Sequence, residues 1–138
     1  MITEVLGALK LTADVANGAI SVWKGMNGRA RRRELGAWLT EMGDLVAGVA
    51  DSIEEGRFPH ASCAKMGYIV DQFDSVLGNA LDGDRSRELR DRLNEARNIE
   101  RLFYELRSVD AAVMEDSLSR MRECAGILQG AGSVMSAS

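Results

Sequence analysis

A single proline in 138 residues, with aromatic side chains at only 5%, leaves this chain without the frequent turns and ring-rich strands of an all-β sandwich or barrel. Its two cysteines, Cys63 and Cys124, are too few for a disulfide framework and point to free thiols in a reducing cytoplasm. One histidine, His60, cannot build the repeated Glu-x-x-His sites of di-iron bundles. No uncharged apolar run approaches the roughly 18 residues of a membrane span. Glu4, Lys10 and Asp14 interrupt the apolar N-terminal stretch, which therefore lacks the form of a signal peptide. Lysine is scarce as well: 3 stand against 14 arginines, the bias of a GC-rich genome. Gly25 and Gly28 follow no strand, so no phosphate-cradling loop is present. The carboxylates form no pair isolated on an apolar face, so general acid/base catalysis has no candidate dyad.

What the chain has is apolar residues, 46% of the total, recurring at helical spacing along nearly its whole length. Ile2, Leu6, Leu9, Ala13, Ala16, Ile20 and Trp23 step alternately by four and three, with Leu11, Val15 and Val22 in a second row beside them. That first segment is more apolar than one seam requires. A second carries Leu35, Leu39, Met42, Val46, Val49 and Ile53 and ends at Gly56. Pro59 suits the first turn of a third, which shows Cys63, Met66, Val70, Phe73 and Leu77 and stops at Asp82, Gly83 and Asp84. A fourth segment continues from Leu89, Leu93 and Ala96 through Ile99, Phe103 and Leu106, with Glu88 to Arg92 and Arg101 to Glu105 as supporting pairs. Ser108 and Asp110 are competent N-caps for a fifth, marked by Met114, Leu118, Met121, Ala125 and Leu128.

The short connections predict an all-α, antiparallel up-down bundle of four to five helices of about 20 to 26 residues, crossing at shallow angles near 20°. One helical-bundle domain is expected over 1–130, followed by a flexible tail of small residues at 131–138.

Charge is the anomaly in this pattern. Arg29, Arg31, Arg32 and Arg33 open the second segment where the macrodipole favours anions, and Asp51, Glu54 and Glu55 close it where cations are favoured. In an up-down bundle these become two poles. Lys24, Arg85, Arg87 and Arg90 join the basic one, partly offset by Glu34, Asp82, Asp84 and Glu88, while Glu105 and Asp110 join the acidic one against Arg57 and Arg107. The net charge of −4 excludes a surface devoted as a whole to nucleic acid.

The most specific motif is Phe58-Pro59-His60-x-x-Cys63-x-x-Met66 at a helix start. His60 and Cys63 share a helical face and suit zinc, but one histidine and two cysteines do not close a four-ligand site in a monomer. As a nucleophile and base they lack an oxyanion hole and a third orienting residue. With the Glu95-Ala96-Arg97-Asn98-Ile99-Glu100-Arg101-Leu102-Phe103 run, the motif gives the stretch from Leu35 to Leu106 a likeness. It resembles a group of small uncharacterised bacterial all-helical proteins to which no activity is attached.

The sequence therefore predicts a non-enzymatic, cytoplasmic interaction module with no cofactor, no metal and no small-molecule substrate. It is expected to self-associate as a homo-oligomer or to dock on a partner protein. Ile2, Leu6, Leu9, Trp23 and Trp38 are the expected packing anchors, and Arg29, Arg31, Arg32 and Arg33 the expected partner-selecting charges. A second reading has the first helix and the arginines engage an anionic lipid surface. A third, weaker one has the basic pole bind nucleic-acid phosphate.

Overall fold

The computed structural model describes residues 6, 7, 9–11, 13, 14, 29–72, 87, 90, 91, 94 and 98–137, with the side chains of 29–31 excepted. Four helices have full bounds: α1 (Arg29–Glu54), α2 (His60–Asp71), α3 (Ile99–Ser108) and α4 (Ala111–Ala137). Leu6, Gly7, Leu9, Lys10, Leu11, Ala13 and Asp14 are also helical, as are Arg87, Arg90, Asp91 and Asn94, and no strand occurs among the described residues. The fold is an all-α bundle.

Each helix forms around its apolar stripe. Leu35, Leu39, Met42, Val46, Val49 and Ile53 are all buried along α1, joined by Trp38, Leu45 and Ala50. Glycine stops α1 as expected. Gly56 adopts φ +74°, its N–H donates to the Ile53 carbonyl at 3.0 Å, and the Arg57 N–H donates to Ser52 at 2.8 Å. This paired pattern is the Schellman cap, which needs a left-handed residue at that point. Pro59 then holds the cap position of α2, one residue ahead of the helix. Asp110 caps α4, its carboxylate accepting the Val113 N–H at 2.9 Å, an arrangement worth about 1 kcal/mol.

The centre of the bundle is the antiparallel pair α1 and α4. Gly36 and Gly43 on α1 lie seven residues apart, and so do Gly132 and Ala125 opposite them. A Cβ on Gly36 would stand 2.8 Å from the Gly132 carbonyl oxygen, and one on Gly43 would stand 2.8 Å from that of Ala125. The backbones touch at heptad intervals because side chains are missing there. Polar pairs flank this seam with the same spacing: Gln129 Nε2 donates to Asp44 at 2.8 Å, and Arg122 to Asp51 at 3.0 Å. Against α1 also lies α2, which buries Met66, Ile69 and Val70. The Trp38 indole N–H donates to the Ile69 carbonyl at 3.1 Å in the buried space between them. A continuous core runs from Leu9 and Ala13 through α1, α2 and α3 to Met135.

Three expectations need correction or narrowing. The stretch 131–138, expected as a flexible tail, is helical through Ala137. Ala131, Gly132 and Met135 are buried there, because the small residues allow the close approach to Gly36 and Thr40. The fourth segment is not one continuous helix. Asn98 stands outside helical geometry at φ −80°, ψ 46° and serves as the cap from which α3 starts. In the third segment, α2 closes at Asp71 with Gln72 as its C-cap; Phe73 and Leu77 lie outside the described residues, as do Gly25, Gly28, Asp82, Gly83, Asp84 and the Glu88 to Arg92 pair.

The reversed charge of α1 has a tertiary cause. With no acidic residue in its first turn and no basic one in its last, α1 opposes its own macrodipole. Its antiparallel neighbour supplies the complement. The arginine-rich start lies beside the C-terminal end of α4, and Asp51 and Glu54 lie beside the α4 N-terminal half, reached by Arg122.

Candidate interaction surface

The residues singled out for partner binding fall into three groups. Leu9, wholly buried, and Trp38, 2% exposed, belong to the internal core, which corrects their assignment as docking anchors. For Trp38 the physical reason is its hydrogen bond to Ile69, which holds the ring between α1 and α2. Leu6 is half-buried against that core. Arg33 is exposed and Arg32 half-buried, while Arg29 and Arg31 are helical residues whose side chains are not described. Ile2 and Trp23 lie outside the described residues, along with Lys24 and Arg85.

The motif residues converge on the opposite end of α1. The chain leaving the glycine cap brings the Phe58 ring to 4.6 Å from the His60 ring. The same ring meets Phe103 edge-on at 5.1 Å and Tyr104 at 6.0 Å. The Arg107 guanidinium lies 5.4 Å over the Phe103 ring and donates to the Gly56 carbonyl at 3.1 Å, tying α3 to the end of α1. Phe103 is buried but Tyr104 is 59% exposed. The row of rings thus begins in the core and ends in solvent, an arrangement in which each ring contact adds roughly 0.5–1.5 kcal/mol.

Cys63 is half-buried on α2. Burial pushes its thiol above the ordinary value, and the nearby Glu100 carboxylate adds to the rise. This is the reverse of an activated nucleophile, which needs cationic surroundings to hold a thiolate. Cys124 is shifted the same way by burial, then by Glu123 and Asp14, against a smaller opposing effect of Lys10. Among the described residues no group of three or more His, Cys, Asp or Glu side chains converges as metal ligands.

At the same pole, the end of α1 and the start of α4 border an open groove of about 350 Å³. Met114 and Leu118 contribute its apolar lining, with Glu54, Glu115 and Arg122 among its polar residues. Arg122 bridges Asp51 at 3.0 Å and Glu54 at 2.7 Å, and Asp51 first, then Glu54, raises its already high pKa. Glu55 pairs with Arg57 and Glu105 with Arg101 at 3.5 Å, so the acidic pole is partly neutralised from within. Glu115 has no ion-pair partner among the described residues. Two smaller grooves lie among the described residues, one of about 310 Å³ including Leu6, Lys10 and Arg120 and one of about 300 Å³ including Asp44, Gly48 and Lys65.

Sequence reasoning placed Asp51, Glu54, Arg57 and Arg107 at this pole but missed Tyr104, Met114 and Arg122. Arg122 is 71 residues from Asp51, and only the register of α1 on α4 brings them together. No helix among the described residues is long and apolar enough to cross a membrane. No family model, no curated protein and no solved structure matches the chain.

Proposed function

We propose that this chain is a non-enzymatic helical interaction module, acting by being bound at the pole where α1 ends and α4 begins. The observation that carries this reading is the exposed Tyr104, held on a row of rings with Arg107 at the same end of α1 as the groove lined by Glu54 and Met114. Tyrosine and arginine are the residue types that most often dominate interface energy, above all where a rigid neighbour removes the entropy cost of ordering them. The rest of the molecule favours a scaffold over a catalyst. The two long helices approach backbone to backbone at their glycines, and both thiols are shifted away from reactivity. An anionic-lipid reading would require Leu9 and Ala13 to leave the core.

Tyr104→Ser and Tyr104→Phe test the assignment. In cross-linked extracts of the native host, Tyr104→Ser is expected to lose the complexes formed by the wild type, and Tyr104→Phe to retain them, at equal thermal stability. Identical complexes for all three proteins would remove this pole as the contact surface.

A further inference from the structure

We infer that the acidic groove receives the arginine-rich start of α1 from a second copy, in a head-to-tail contact; this rests on the reading of the pole just given. Its charge balance is the first argument. Glu54 and Glu115 line the groove with Arg122 as the one cation among its lining residues, and Arg122 already bridges Glu54 and Asp51. Two carboxylates and one guanidinium leave a net negative rim beside Met114 and Leu118, the complement of a helix start bearing cationic side chains. Such a start exists on the same molecule. Arg29, Arg31, Arg32 and Arg33 lie within five residues, with Glu34 as the acidic residue next to them in sequence.

A charge open to solvent stands at each end. Arg33 at the start of α1 and Glu115 at the start of α4 are both exposed, and neither has an ion-pair partner among the described residues. Glu54 shares the groove with Glu115, and from Arg33 to Glu54 the axis of α1 runs about 32 Å. The basic end therefore cannot reach the groove of its own chain. A second copy can bring it there, and the surfaces joined are different ones, so the contact is heterologous and builds a ring or an open row of copies. Opposite charges at a groove rim act mainly by steering and register.

Sedimentation velocity of the full chain over a concentration series is the test. At low ionic strength the mass is expected to rise above 15.0 kDa with concentration. The rise should collapse near 1 M salt, where the screening length falls to about 3 Å. Arg33→Glu or Glu115→Arg alone should weaken association about tenfold or more, and both positions are exposed, so unchanged melting curves will show that the fold survives. An equimolar mixture of the two variants should regain association, because substituted head then meets substituted groove and native head meets native groove.

Three outcomes overturn the inference: a monomer at every salt concentration, single variants that associate like the wild type, or a mixture no stronger than either variant. A monomer that captures an arginine-rich peptide copying the start of α1 also overturns it, since the occupant is then another protein. The Tyr104 variants separate the two levels of the argument. If they lose their complexes in the host while the purified chain stays monomeric, the pole is a contact surface and only the second copy is wrong.

Discussion

Gly132 and Gly126 lie on the same helix and should answer the same substitution with opposite signs. A methyl group on Gly132 would stand 2.7 Å from the Gly36 carbonyl oxygen and 2.8 Å from the Thr40 backbone nitrogen, whereas one on Gly126 meets nothing within 4 Å. Backbone cannot yield as a flexible side chain does, so Gly132→Ala is expected to cost about 1–3 kcal/mol through forced separation of α1 from α4. Gly126→Ala should instead stabilise by about 0.5–1 kcal/mol, because alanine surrenders less conformational freedom on entering a helix. Urea unfolding midpoints compare the two directly. The thiols give a second prediction at this scale. Cys63 and Cys124 are both raised, so folding favours their neutral forms. The stability this supplies is complete below the ordinary thiol range near 8.5 and declines as pH climbs past it toward the raised values. Labelling by a thiol reagent should accordingly be slow at neutral pH and faster in alkali, with half-buried Cys63 reacting ahead of buried Cys124.

Helix by helix, the stripes were readable because burial repeats: every residue of the series from Leu35 to Ile53 is in the core. Their interruptions were not. Asn98 sits between Ala96 and Ile99 with no proline or glycine to announce a break, and the apolar rhythm continues across it. The end of α4 was misread for a related reason. Residues 130–138 carry little hydrophobic mass, and small side chains there suggested fraying, yet a lack of mass is what permits intimate contact. Removing 131–138 is therefore expected to lower stability by several kcal/mol, since Met135 is completely buried and buried methionine typically costs about 2–5 kcal/mol on loss. A melt unchanged by that truncation would contradict the packing of the last turns. Trp38→Phe should cost about 1 kcal/mol by removing the indole hydrogen bond that ties α1 to α2. In denaturant it should shift the midpoint and leave the slope unchanged.

At the level of the whole chain, the contacts that organise the bundle are distant in sequence. Asp51 meets Arg122 across 71 positions and Asp44 meets Gln129 across 85. Periodicity identifies a seam but carries no information on which two seams join or in what register, which is why the glycine contacts and the Arg122 bridge were invisible beforehand. The same topology bears on kinetics. Closing so long a loop before α1 and α4 can reward each other should make folding a millisecond event or slower, unlike bundles of local hairpins that fold in microseconds. Stopped-flow circular dichroism measures this, and completion within the mixing dead time would be inconsistent with a rate-limiting α1 and α4 encounter.

Because the last turn of α4 rests on Gly36, close by the arginines, anything attached near Ser136 stands at the doorway of that end. A fluorophore or affinity handle placed there would shade it and imitate the loss of charge at Arg33. Reporters intended to follow this protein in solution belong instead on an outward position well away from both extremities, such as Gly126 midway along α4.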